Sequence, residues 1–348
     1  MTPMPCAHAW HRAREDCAIE REIHMSNITR RALLSGMGMA ALGLAACGGS
    51  SPDATDAAAA DTTYKIGVLQ LVEHEALDAS NKGFVAALDE AGIAYEIDQQ
   101  NAQGDQSACQ TIAAKLVNDG NDLILAIATP AVEAIAGATT EIPIVGTAVT
   151  DFAESGLVAS NDEPGGNITG SSDLTPVAEQ IDLLVQLLPE AKTVGVLYCT
   201  AESNSEIQVS MAEEACAAAN LTAVRYSVSS SNEIQQVVES MVGKVDALYC
   251  PTDNTIAAGM ATVTMVANEN KLPTICGEVG MVNAGGLASY SIDYFELGKR
   301  AGNMAVRILT EGADPATMPI EHLAAEECEL VTNEETAATL GIDLSVLN

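Results

Sequence analysis

The chain has 348 residues, 48% of them apolar, and a formal net charge of −33. That balance excludes nucleic-acid binding, which needs a basic surface to displace counterions, and it opposes a polyanionic ligand. The length remaining after an unusual N-terminus suits two lobes of ordinary domain size.

The first 24 residues, "MTPMPCAHAWHRAREDCAIEREIH", fit no part of an export signal, whereas Met25 begins one of normal length. We read residues 1–24 as a start-site artefact, or else as a disordered tail, and give Cys6, Cys17, His8, His11 and Trp10 no functional weight. Arg30 and Arg31 precede "ALLSGMGMAALGLAA", which is too short and too small in side-chain bulk for a membrane span. This is the pattern of a secretory signal, over residues 1–46. The stretch Leu44-Ala45-Ala46-Cys47 resembles a bacterial lipobox, which implies cleavage before Cys47 and its lipidation. "TRRALL" also resembles a twin-arginine export signal. Residues 47–63, rich in Gly, Ser, Ala and Asp, read as a lipidated cysteine with a flexible linker that tethers a folded body to a membrane.

From Tyr64 the pattern alternates strand and helix. "YKIGVLQL" is a buried strand, "ALDASNKGFVAALDEAG" an amphipathic helix, and "YEIDQQ" a second strand. "DQSACQTIAAKLVNDG" is a helix with Asp105 as N-cap and Gly120 as stop. "DLILAIA" is a third, wholly apolar strand. "TPAVEAIAGA" is a helix capped by Thr129 with Pro130 at its first position, and "IPIVGTAV" a fourth strand.

The alternation restarts near Thr175. "TPVAEQIDLLVQLLPE" is a helix and "TVGVLYC" a strand. "SNSEIQVSMAEEACAAAN" is a helix with a Ser203–Glu206 capping box. "TAVRYSV", "NEIQQVVESMVG", "ALYCP", the single helix "TIAAGMATVTMVANEN", "PTICG", "GGLASYS" and the helix "YFELGKRAGNMAVRILTEG" follow. Two such runs predict an α/β protein of two Rossmann-like lobes, each with a parallel sheet.

Ligands of open α/β sheets lie beyond the carboxyl ends of the strands. The strand-end loops here are "VEHEALD", "ATP", "TAVTD", "CTAESNS", "PTDN" and "GEVG", and they are rich in hydroxyls, carboxylates and amides. Hydroxyls at helix starts, such as Thr129, favour a carboxylate, while Asp253 and Glu202 can accept from an ammonium. Such a cleft clamps an α-amino acid by both ends. Tyr198, Tyr249, Tyr290 and Phe152 lie near strand ends and can hold a flat side chain. His74, between Glu73 and Glu75, is a titratable candidate. Helix capping and core packing account equally for several of these residues.

Enzyme signatures are scarce: no GxSxG, P-loop, HExxH or GxGxxG in strand–turn–helix context appears. Cys109, Cys199, Cys216, Cys250, Cys276 and Cys328 show no metal-ligand spacing and read as small buried apolar residues. No metal or cofactor is demanded.

The segments "IGVLQLVEHEALDASNKGF", "NAQGDQSACQTIAAKL", "DLILAIATPA", "IPIVGTAVTD", "GGNITGSSDLTP", "KTVGVLYCTAESNS", "VDALYCPTDNTIA" and "ASYSIDYFELGKRAGNMA" occur in order. Together they resemble the tryptophan/tyrosine-type substrate-binding proteins of ABC transporters. The resemblance implies a type I periplasmic-binding fold with hinge crossovers, with residues 64–172 plus about 288–322 in lobe 1 and about 173–287 plus 323–348 in lobe 2. It implies ligand capture by hinge closure and delivery to an ABC permease by a lipid-anchored monomer facing outside the cytoplasm. It further implies carboxylate binding at Thr129 and Thr147 and ammonium binding at Asp253. Glu73, His74, Asp151, Glu202, Asn204 and Asn254 lie in matching loops, with Tyr198 beside them. Two positions depart from the family pattern, Cys199 in place of Asn and Phe152 in place of Pro. An aromatic amino acid is the expected ligand. Another neutral solute such as a nucleoside, a membrane-tethered sensor, and an enzyme on the same fold are the alternatives.

Overall fold

The computed structural model describes residues 62–323 and 327–347. The export signal, Cys47 and nearly all of the linker lie outside the described residues. The first sheet comprises β1 (Thr63–Gln70), β2 (Ala94–Asn101), β3 (Leu123–Ile127), β4 (Ile144–Val149), β5 (Ile168–Ser172) and β11 (Glu321–His322), in the order β11-β5-β4-β3-β1-β2. The second comprises β6 (Thr193–Cys199), β7 (Thr222–Val228), β8 (Ala247–Cys250), β9 (Thr274–Cys276), β10 (Ala288–Ser291) and β12 (Glu329–Thr332), in the order β12-β10-β9-β8-β6-β7. Every pairing is parallel except β10 with β12. The inner strands are largely buried and most are apolar, as "LILAI" of β3 is, because helices cover both sides of a parallel sheet. The edge strands β2 and β7 alternate instead between exposed and partly buried positions.

The chain passes between the sheets three times: after β5, after β10, and between β11 and β12. The return expected near residue 288 falls later. Ala288–Ser291 pairs with β9 and β12 in the second sheet, so the crossing is at Ile292–Asp293. Helix α10 (Tyr294–Val306) then packs on helix α1 (Glu75–Ala91) of the first lobe.

Glycine sets that packing. A Cβ on Gly298 would lie 1.9 Å from the Ser80 carbonyl oxygen, and one on Gly83 would lie 2.0 Å from that of Phe295. The two backbones touch where side chains would normally separate them. Helix α1 ends at Gly92 in the left-handed region, φ 66°, where a residue without Cβ is unstrained.

Several local expectations shift. Ala128, not Thr129, is the N-cap of α3 (Thr129–Ala138). Ser203 forms no capping box: the N-cap of α5 (Ser203–Ala218) is Glu202, and the Ser203 hydroxyl donates to Glu133 Oε1 in the other lobe, 2.6 Å. The helix read as continuous from Thr255 divides at Gly259 into Asn254–Ala258 and Met260–Glu269, where a Cβ would lie 2.3 Å from Ile234 Cδ1. Asp105 and Asp253 cap as expected, each accepting a backbone N–H at 2.9 Å. Strand β5, "ITGSS", has no apolar signal. Its buried hydroxyls are satisfied by main-chain carbonyls, Thr169 by Met318 at 2.9 Å and Ser171 by Leu297 at 3.2 Å.

Gly298→Ala should force the α1–α10 pair apart and cost about 1–3 kcal/mol, the usual range for overpacking. Gly137→Ala, in a helix where an added Cβ meets nothing within 4 Å, should be neutral or slightly stabilising. Urea unfolding of the two variants checks the contrast; equal stabilities would remove the close contact as the reason for glycine.

Candidate functional site

The carboxyl ends of the two sheets meet across the cleft. His74 Nε2 lies 3.2 Å from Asn254 Oδ1, Gln208 Nε2 donates to Thr150 Oγ1 at 3.1 Å, and Asn283 Nδ2 donates to Glu75 Oε1 at 2.7 Å. Gln106 also donates to the Ala201 carbonyl. With Ser203–Glu133, these bonds hold the lobes closed.

On the first lobe, Ala128 adopts φ 85°, ψ 150°, a costly conformation for an L-residue and one that clusters at functional sites. It turns the chain so that α3 starts at the cleft. The Ala131 and Val132 N–H groups bond the Ala128 carbonyl at 3.0 and 3.1 Å, and Pro130 has no N–H. Among the described residues the Thr129 N–H and hydroxyl make no hydrogen bond, although Thr129 is only 1% exposed. Two donors at the positive end of a ten-residue helix suit a carboxylate. Thr147, the other expected carboxylate ligand, adjoins this helix start through its carbonyl, which accepts from the Ala128 N–H at 3.0 Å, but its hydroxyl is engaged elsewhere. Its hydroxyl meets that of Ser171 at 2.9 Å beneath α10.

The expected acids also separate. Glu202 is buried and accepts from the backbone and side chains of Asn254 and Thr255 over 2.6–3.1 Å. Asp253 accepts from Cys199 N–H, Ser205 Oγ and Ile256 N–H over 2.6–2.9 Å. Burial pushes the Asp253 carboxyl up, and neighbouring Glu202 adds to it. Both acids thus organise the start of the Asn254–Ala258 helix. Asp151 folds its own loop, accepting from Ala153 and Glu154 N–H and from Asn161. Glu73 is exposed.

Tyr198 packs in the core of the second lobe. Tyr249 and Phe152 have no exposure, and the Tyr249 hydroxyl donates to Gln180 at 2.6 Å, so neither forms a platform in the cleft. His74 and Asn254 do meet in the closed interface, while Asn204 is buried within the second lobe and donates to the Thr252 carbonyl at 3.4 Å. His74 Nδ1 and Asn204 Oδ1 are buried without a hydrogen-bond partner. Burial lowers the His74 pKa, outweighing Asn254 and the charges of Glu202, Asp78 and Glu75.

Sequence reasoning missed Asp173, Thr175 and Glu278 as a group. Asp173 and Thr175 follow β5, a strand that carried no signal, and both have buried oxygens without a partner. Glu278, in the "GEVG" loop after β9, is 2% exposed and accepts from Gly280 and Met281 N–H. Desolvation pushes Asp173 up to about 6 against a hydrogen bond from Tyr294, and Glu278 up to about 7, where Glu75 and Asp173 add to the effect.

A cavity of about 340 Å³ opens between Leu71, Val72 and Pro130 of one lobe and Ala201, Thr255 and Ala258 of the other. This is within the size of small-ligand sites. Its polar rim comes from Gln103–Gln106 and Ser229–Asn232. Among the described residues no group of His, Cys, Asp and Glu is arranged to hold a metal ion, and no helix is long and apolar enough to cross a membrane.

A two-lobed α/β protein with its polar strand ends facing an interlobe cavity is a binding protein, and comparison gives the class. Residues 65–346 match the family model described as ABC transporter substrate binding protein, and the chain belongs to that family. It is a family of transport proteins that act outside the cytoplasm, not of enzymes. A tyrosine-binding protein of Clostridioides difficile (strain R20291) is 45% identical over 279 residues, 79% of this chain and 80% of the relative. The ABC domain from Streptococcus pneumoniae in complex with L-Trp superposes with TM-score 0.79 at 41% identity, covering 82% of this chain and 98% of that one. A ligand-free, open substrate-binding protein from Clostridium difficile, 42% identical, reaches TM-score 0.62 over 81% and 96%. Identity and coverage are nearly equal, so the difference in score points to lobe placement, in accord with the closed interface described above.

The raised carboxyls make stability depend on pH. A carboxyl whose folded pKa lies above its unfolded one contributes stability below the unfolded value and loses it as pH rises through the folded value. For Glu278, raised from 4.5 to about 7, the loss runs from about pH 4.5 to 7 and amounts to about 3 kcal/mol. His74, whose pKa burial lowers from the ordinary 6.5, acts in the opposite sense below that value, so the comparison needs a variant. Relative to Glu278→Gln, the ligand-free wild type should lose stability between pH 5 and 8 in urea titrations; parallel curves would contradict it.

Proposed function

We propose that this protein captures an aromatic amino acid between its lobes and delivers it to an ABC permease. The observation that carries the reading is a contiguity: the unengaged donors of Thr129 lie beside Pro130, which lines the cavity. A carboxylate at Thr129 places the rest of an amino acid against Leu71, Val72, Ala201 and Ala258. These aliphatic faces suit a flat ring, and the cavity rim supplies polar partners for a phenol or indole N–H. The ligands of the relatives, tyrosine in one and L-Trp in another, support the same class. His74 and Asn254 complete the closed site. Thr147, Asp253, Glu202 and Asp151 support the loops around it. The protein works as a lipid-anchored monomer, exported by the signal before Cys47 and tethered by that residue.

L-Tyrosine and L-tryptophan, added to protein first unfolded and refolded to remove carried-over ligand, should raise the melting temperature by mass action. Thr129→Val should weaken binding at least tenfold with little change in the ligand-free melt, as read by calorimetry. A shift with nucleosides and none with amino acids would replace this reading by the neutral-solute one. Cys47→Ser should move the protein from the membrane fraction to the soluble fraction; retention at the membrane would remove the lipid anchor.

A further inference from the structure

The closed cleft holds two carboxylates that no basic residue neutralises. Asp173 lies on the first crossing, directly after β5, and is 6% exposed. Its Oδ2 accepts from the Tyr294 hydroxyl at 3.0 Å, while Oδ1 is buried with no partner. Glu278 lies at the end of β9 in the opposite lobe, and the charges of Asp173 and Glu278 both bear on Tyr294. Neither acid takes part in an ion pair among the described residues.

The position is functional as well as buried. Asp173 N–H bonds the Val149 carbonyl, and the preceding Ser172 hydroxyl donates to the Thr150 carbonyl at 2.7 Å. Thr150 is the residue that Gln208 reaches from the other lobe. Asp173 therefore stands beside a point where the lobes touch. An ionised carboxylate oxygen can only accept, so a buried one without a donor is costly, and two facing acids raise that cost. A cation with N–H donors removes both penalties. Asp253 and Glu278 offer no equivalent, because Cys199, Ser205 and Ile256 already supply the oxygens of the first and the Gly280 and Met281 N–H groups those of the second.

We propose that Asp173 accepts the α-ammonium of the ligand through its unpartnered Oδ1, and that Tyr294 positions the Asp173 carboxylate. The proposal rests on the amino-acid reading above and adds the residue that makes an amine obligatory. Asp173 and Tyr294 stand on two different crossings, so an ammonium held there also ties the hinge segments to the ligand.

Calorimetry with L-tyrosine and with its desamino analogue, 3-(4-hydroxyphenyl)propanoate, tests it. The wild type should prefer tyrosine at least 100-fold. Asp173→Asn should lose most of that preference by weakening tyrosine binding while leaving the analogue's affinity equal or improved. Tyr294→Phe, which keeps the ring, should weaken tyrosine about tenfold and the analogue little, and it decides the matter if the Asp173 variant does not fold. Wild-type protein binding both ligands equally, or an Asp173→Asn protein with unchanged tyrosine affinity, overturns the assignment and leaves the amino-acid reading standing. Wild-type protein that binds no amino acid overturns both.

Discussion

Closure of this molecule is governed by desolvation. The loops that meet between the lobes carry carboxylates, amides and hydroxyls, and bringing them together removes water from all of them at once. Such groups are tolerated inside a protein only when each finds a partner. Much of the local structure supplies those partners: Glu202 gathers four donors from Asn254 and Thr255, and Gln208 bridges Thr252 and Thr150. What remains unmatched, at His74, Asp173, Thr175 and Asn204, is a set of polar atoms spread over both lobes. A ligand with complementary charges at its two ends can satisfy atoms on both walls only when the walls are close. Its differential affinity for the closed state is then what shifts the equilibrium.

The fold was legible because its signals are local. Apolar runs such as "LILAI" and capping residues such as Asp105 and Asp253 act within a few positions of themselves, and a parallel sheet repeats the same pattern strand after strand. Strand β5 shows where that ends. Its Thr169 and Ser171 are satisfied in burial because Met318 and Leu297, more than a hundred residues later, offer carbonyls to their hydroxyls. No window of sequence around "ITGSS" contains that information. The helix break at Gly259 has the same origin, since it answers to Ile234 on a neighbouring helix.

The site was legible by address and less so by role. Counting strand ends named the loops of His74, Thr129 and Asn254, all of which lie at the closed interface or the start of α3. It did not separate a carboxylate that faces a ligand from one that caps a helix, because Asp253 and Glu202 have the same residue type and the same address as a ligand-binding acid. Only the count of filled lone pairs distinguishes them. Asp173 escaped because its strand did, and the aromatic residues near strand ends proved to be core because Gly146 leaves room for Phe152 beneath the sheet.

The glycine contact between α1 and α10 has a further consequence for how the molecule assembles. Lys299 on α10 reaches Glu90 on α1 across 209 residues of sequence, and the whole second sheet except β12 is strung between those helices. The second lobe draws mainly on one nearly continuous stretch of chain, whereas the first stays unsealed along one flank until its distant helix arrives. Contacts of such long range form late and slowly. A chain built this way leaves the first lobe unfinished for most of its synthesis, and the second lobe then takes its own last strand, β12, from the C-terminal segment.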